Sequence, residues 1–241
     1  MSRTVLSITG ADRLKFLHGL ITRDVPEDGL GYAALLSPQG KYLADFLTLR
    51  RGEAVWLDVA ADVAPGLAQR LSMYRLRADV AIEATDIPVA RGTGPAPEGA
   101  LPDPRPGMGW RAYGAGTDDG TDWDAVRVEN LVPASGVELI ANESYILEMG
   151  FDRLGGVDFR KGCYVGQEVT ARMKHKTELR KGLARVALSG PVAPGAAIEA
   201  DGRAVGTIHT VSGGRALAHL RFDRAEGMRA GDVEVALDVR A

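Results

Sequence analysis

The chain has 241 residues, 45% hydrophobic and 25% charged, with a formal net charge of −3. That length supports one large core or two to three small ones, and the mild acidity excludes a protein that coats nucleic acid through general charge. A single cysteine excludes an internal disulfide and a four-cysteine metal site; with no basic-then-apolar leader and no long uncharged apolar run, the expectation is a soluble cytoplasmic protein.

In chain order, residues 5–8 predict a short strand, followed by a helix with Leu14, Leu17 and Ile21 on one face. Thr9 or Asp12 is placed to cap that helix, and Asp24-Val25-Pro26 to end it. His18, beside the apolar stripe, reads as a structural residue. The apolar runs 32–36 and 42–49 flank Ser37-Pro38-Gln39-Gly40, whose proline and glycine suit a tight turn, so the pair predicts a hairpin. Asp45, a carboxylate on an otherwise apolar face, reads as a hydrogen-bonded edge residue. Residues 55–59 give another strand, Asp62 and Pro65 open a helix carrying Leu67 and Leu71, and residues 78–84 return as a strand. This order predicts an α+β layer. No G-x-G-x-x-G or P-loop pattern is present, which argues against a Rossmann dinucleotide site and a P-loop.

Between residues 91 and 122, 13 of 32 residues are Gly or Pro, the composition of a connecting segment with one strand at 108–113. Thr121-Asp122 then caps a helix in which Trp123, Val126, Asn130 and Leu131 define the inward side while Arg127 and Glu129 flank it, and Pro133 stops it. Further on, Lys161-Gly162-Cys163-Tyr164-Val165-Gly166-Gln167-Glu168 gathers the only cysteine, a cationic neighbour and two permissive glycines. A thiolate is favoured by nearby positive charge or by a helix N-terminus; Lys161 supplies the first, and the good helix formers from Gln167 to Met173 the second. The segment 153–185 holds nine Lys or Arg against three acids, a basic concentration suited to an anionic tail, a phosphate-bearing RNA or an acidic protein. Near-absence of aromatics over residues 173–185 counts against a base-stacking RNA surface. Five short strands follow, at 183–188, 196–199, 204–211, 215–220 and 233–239, separated by turns such as Asp201-Gly202 and Ser212-Gly213-Gly214. They predict a small antiparallel barrel without a catalytic constellation.

The run from Phe159 to Arg172 resembles the signature of the YgfZ family, folate-binding relatives of the glycine-cleavage aminomethyltransferase. The likeness extends to Ile8-Thr9-Gly10-Ala11-Asp12, to Leu36-Ser37-Pro38-Gln39-Gly40-Lys41 and to Met73-Tyr74-Arg75-Leu76-Arg77, and so spans most of the chain. The resemblance implies an α+β, three-lobed aminomethyltransferase-like fold around a central cavity, closed by the C-terminal barrel. The regions are then 1–90 (α+β), 91–122 (connection), 123–180 (helix and cysteine motif, completing the cavity) and 181–241 (barrel). It implies a tetrahydrofolate-binding protein that supports iron-sulfur cluster assembly or repair in client enzymes, tRNA-modifying radical enzymes among them. In that picture Glu129 hydrogen-bonds the pteridine ring, Trp123 stacks on it, and Arg127, Tyr164, Gln167, Glu168 and Arg172 are further cofactor contacts. Cys163 with Lys161 forms the reactive or ligating pair. Two other readings are a tetrahydrofolate-dependent one-carbon transferase and an RNA-binding module using the basic segment.

Overall fold

The opening strand, β1 (Arg3–Thr9), sits fourth in a five-stranded antiparallel sheet with β2 (Gly31–Leu36), β3 (Tyr42–Arg51), β4 (Ala54–Ala60) and β5 (Ala81–Thr85), in the order β2-β3-β4-β1-β5. These elements are taken from a computed structural model that describes residues 2–176 and 178–241, and the side chain of Lys176 also lies outside the described part. Every residue of β2 is buried, because the pleat sends Ala33 and Leu35 to one core and Tyr32, Ala34 and Leu36 to another. The first core is closed by α1 (Arg13–His18) and α2 (Ala64–Arg75), which contribute Phe16, Leu17, Leu67 and Leu71. The expected hairpin forms between β2 and β3, and its turn is tied by the Gly40 N–H donating to the Ser37 carbonyl at 2.8 Å.

The segment read as a connection with one strand folds instead into a three-stranded sheet: β6 (Val89–Gly92), β7 (Leu101–Pro102) and β8 (Trp110–Tyr113), in the order β6-β8-β7. Short strands of four and two residues among glycines and prolines carry almost no periodic signal. Tertiary contacts hold them, through charge buried against the five-stranded sheet. Asp103 accepts from Arg105 (2.9 and 2.7 Å) and Arg111 (3.2 Å), and Arg111 reaches Asp58 of β4 at 3.4 Å. Asp58 also binds Arg3 at 2.6 Å and the Tyr113 hydroxyl at 3.1 Å. The Arg105 guanidinium lies 4.9 Å over the Tyr32 ring, and Tyr32, Tyr42 and Ser135 donate their hydroxyls to Asp45 at 3.0, 2.8 and 2.5 Å. Asp45 is therefore buried and answered three times, not an edge residue. Burial would raise the Asp103 carboxyl, but the adjacent arginines more than offset this and hold it at about 2. A buried ionic network thus joins the three-stranded sheet to the five-stranded one.

Asp122 caps α3 (Trp123–Asn130) as its sequence predicts, accepting from the Asp124 and Ala125 N–H groups at 3.1 Å each. From Leu131 to Gly166 the chain forms turns, yet it contributes Leu139, Ile146, Met149, Phe151 and Leu154 to the second core. After α4 (Gln167–Lys176), six strands close an antiparallel barrel: β9 (Lys181–Leu188), β10 (Ala197–Ala200), β11 (Arg203–Ser212), β12 (Arg215–Arg221), β13 (Arg229–Ala230) and β14 (Val233–Arg240). Closure removes free sheet edges and wraps a core of Val186, Ile208, Ala218 and Leu220.

Candidate functional site

The cysteine loop wraps the C-terminal end of α1. That helix stops after six residues, sooner than its apolar stripe predicts, because its terminal carbonyls are satisfied from across the chain. Lys161 Nζ donates to His18 O at 2.8 Å and Ile21 O at 2.7 Å, and pairs with Asp24 Oδ1 at 3.2 Å. A cation at a helix C-terminus also complements the helix dipole. Burial lowers the Lys161 pKa, with Asp24 acting in the opposite direction. The ammonium is accordingly bound in the α1 connection, and among the described residues it makes no hydrogen bond to Cys163.

Gly162 lies against the His18 imidazole: a Cβ there would stand 3.0 Å from His18 Nε2, so the ring would have to give by a few tenths of an ångström. On the other side of the ring, Nδ1 is 2.7 Å from Asp24 Oδ1. Burial pushes Asp24 up, but its hydrogen bonds from His18 and Lys161 win and hold it below its ordinary value. The Asp24 carboxylate fixes the ring's orientation through Nδ1, so that Nε2 lies on the Gly162 side. Gly166, at φ +83°, packs on the hairpin turn, where a Cβ would lie 2.6 Å from Ser37 O. Tyr164 is buried in the second core, and burial pushes its hydroxyl up to about 12 against the opposing hydrogen bond with Thr170. Cys163 itself is exposed and, among the described residues, has no hydrogen-bond partner. Its neighbours are anchored, and the thiol faces solvent.

The other expected site residues do not converge on one ligand. Gln167 begins α4, and Glu168 and Arg172 form an exposed i,i+4 pair at 2.8 Å on it. On α3, Glu129 is 60% exposed and held by two barrel arginines, Arg215 at 2.7 Å and Arg185 at 3.3 Å. Trp123 carries the Arg91 guanidinium 4.3 Å over its ring. Arg127, expected to flank the helix, is buried, donating to Glu138 (2.8 Å), Thr210 (2.6 Å) and Asp124 (3.0 Å). No hydrogen bond, ion pair or ring contact among the described residues joins this α3 set to the cysteine loop. The Glu129 carboxylate accepts one hydrogen bond, from Arg215, and keeps further acceptor sites open to solvent.

The basic segment is likewise largely internally paired. Lys174 binds Asp152 at 2.9 Å, Arg153 donates to Leu131 O at 2.6 Å, and Arg185 binds Asp238 at 2.7 Å. Thr177 and the Lys176 side chain, within that segment, lie outside the described residues. Sequence reasoning missed the His18–Asp24 pair, because its meaning depends on Gly162, far along the chain.

The architecture is that of the aminomethyltransferase fold. The glycine cleavage system aminomethyltransferase T from Bartonella henselae superposes with a TM-score of 0.76 over 99% of this chain and 83% of that one, at 14% identity. Residues 180–241 match the C-terminal beta-barrel domain of CAF17. Sequence relatives define the family more closely: the mitochondrial iron-sulfur cluster assembly factors IBA57 of Mus musculus and Homo sapiens are each 30% identical, over 93% of this chain and 77% of theirs. A homolog from Mycosarcoma maydis is 33% identical over 74% of this chain, which spans 54% of that protein's length. The chain belongs to the IBA57 family of iron-sulfur cluster assembly factors. The relatives' names correct the expectation of a cytoplasmic protein, since these proteins are mitochondrial. Among the described residues, no helix is long and apolar enough to cross a membrane.

Proposed function

We propose that this chain supports iron-sulfur cluster assembly by offering the Cys163 thiolate as one ligand to a cluster shared with a partner protein. One cysteine supplies too few thiolates to hold a cluster alone, so the cluster is cargo and the partner contributes the remaining ligands. The observation that carries this reading is the exposure of Cys163 on a loop whose other groups are anchored inward. His18, oriented by Asp24, adds an imidazole nitrogen at the same rim, a group able to accept the thiol proton or steady a ligated state.

The relatives' names support the iron-sulfur role, and the signature's resemblance to the YgfZ family supports a tetrahydrofolate ligand and clients that include tRNA-modifying radical enzymes. The test is complementation of cells lacking their own factor of this family, read as the activity of cluster-dependent enzymes. The wild-type chain restores activity and Cys163→Ala does not; full restoration by Cys163→Ala contradicts the thiol's role.

A further inference from the structure

The exit of α2 takes no part in the cysteine site, and its construction works against stability. Ala64, Leu67 and Leu71 turn into the first core, and the helix then ends at Leu76 in a backbone conformation, φ 42° and ψ −103°, that residues with a side chain avoid. Leu76 is also 89% exposed, and Met73, three positions before it, is 65% exposed; among the described residues no other large apolar side chain is so far out in water. A leucine held in strain and in solvent adds nothing to folding, and glycine takes such a φ freely. Four cations lie at or beside this tip. The side chains of Lys15, Arg70 and Arg77 make no hydrogen bond or ion pair among the described residues, and Arg75 has one long contact, 3.5 Å to the Val80 carbonyl. The two neighbouring acids are used in closing the loop: Asp12 accepts the Asp79 N–H at 2.9 Å, and Asp79 accepts the Ala11 N–H at 3.1 Å.

Helix α1 links this tip to the cysteine. Its N-terminal end meets the α2 exit, where the Asp12 N–H donates to Asp79 O at 3.1 Å. Its C-terminal end meets the cysteine loop, where Lys161 bonds the His18 carbonyl and the Val165 N–H donates to Gly19 O at 3.3 Å. A cleft of about 280 Å³, lined by Asp12, Lys15, Phe16 and Ala78, runs between α1 and the exit. Six helical residues rise about 9 Å, whereas a standard interface covers about 800 Å² on each partner, a patch about 30 Å across and wide enough for both ends of α1. Two apolar side chains are too small a contact to hold a protein alone, but they suit an anchor seated in a pocket within such a footprint, where Met and Arg are enriched. We propose that Met73 and Leu76 are the apolar anchor, and Lys15, Arg70 and Arg77 the charged rim, of the surface that receives the cluster-sharing partner. That partner presents an apolar pocket edged with carboxylates. The proposal rests on the shared-cluster reading above.

Complementation of cells lacking their own factor tests this, together with the melting temperature of each purified variant. Leu76→Gly is expected to melt no lower than wild type, because the strain is relieved, and yet to leave cluster-dependent enzymes at about a third or less of wild-type activity. Arg70→Glu combined with Arg77→Glu is expected to act alike. Docking is separated from the thiol by producing Cys163→Ala in excess in cells that keep their own factor. The excess protein occupies the partner and depresses the enzymes, and adding Leu76→Gly to it restores them. Full complementation by Leu76→Gly and by the double charge reversal overturns the tip and leaves the Cys163 reading standing, as does an inhibition that Leu76→Gly leaves unchanged. A Leu76→Gly protein that melts below wild type also overturns the proposal, since the leucine then serves the fold. Loss with Leu76→Gly beside full complementation by Cys163→Ala supports the tip as a docking surface and removes the shared cluster from what is docked. Flotation of the wild-type chain, and not of Leu76→Gly, with phosphatidylcholine–phosphatidylglycerol vesicles gives the tip to a lipid surface and overturns the protein partner.

Discussion

Charge is used in opposite ways at the seam between the lobes and at the cysteine loop. At the seam, Asp58, Asp103 and Asp45 are each answered by two or three donors, and the guanidinium of Arg111 is almost wholly out of water. At the loop, Lys161 and Asp24 are also paired, yet they leave the His18 imidazole and the Cys163 thiol at the surface. A closed network specifies how the lobes fit and offers nothing to a ligand. A network closed on one side only holds reactive groups in place without consuming them.

Breaking the seam has the largest expected effect on stability. Arg105→Met leaves the buried Asp103 with Arg111 as its one remaining guanidinium partner and costs about 3 kcal/mol in denaturant unfolding, with Asp103→Ala, which leaves Arg105 buried and unpaired, at about 3–5 kcal/mol. Replacing both partners by leucine costs less than either single change, and the double-mutant cycle measures the difference. Next is Gly166→Ala, which forces a side chain into a positive-φ position 2.6 Å from Ser37 O and lowers stability by about 2–3 kcal/mol. Acid gives a comparable effect. Because the folded Asp103 carboxyl titrates at about 2, below its unfolded value, its contribution of about 2 kcal/mol is present above about pH 4 and is lost as pH falls through about 2. Arg105→Met reduces that acid-dependent part and leaves the share due to Arg111. The smallest effect belongs to Glu129→Ala, within about 0.5 kcal/mol, since Glu129 is 60% exposed and Arg185 keeps its pair with Asp238.

What the sequence disclosed follows the range of the interactions involved. The hairpin at Ser37-Pro38-Gln39-Gly40, the Asp122 cap of α3 and the barrel's turn-punctuated strands rest on neighbouring residues, and the structure forms them all. The end of α1 was not legible because Lys161 supplies its terminal partner from the far end of the chain. Asp103, Arg105 and Arg111 look like surface residues of a loop until the sheets bring them together, and Arg127 looks like a flank until Glu138 and Thr210 surround it. At the site, Cys163 and Lys161 were both visible in the motif, but their division of labour was not: one anchors the loop and the other is left free.

Native-state alkylation tests that division most directly, with iodoacetamide added to the folded chain and reaction followed by mass together with the melting temperature. The structure predicts that Cys163 takes one carbamidomethyl group without prior unfolding and that the melting temperature changes by less than about 2 °C, as expected for a surface modification. A thiol that reacts only under denaturing conditions, or whose alkylation unfolds the protein, would contradict an exposed cysteine on an independently anchored loop.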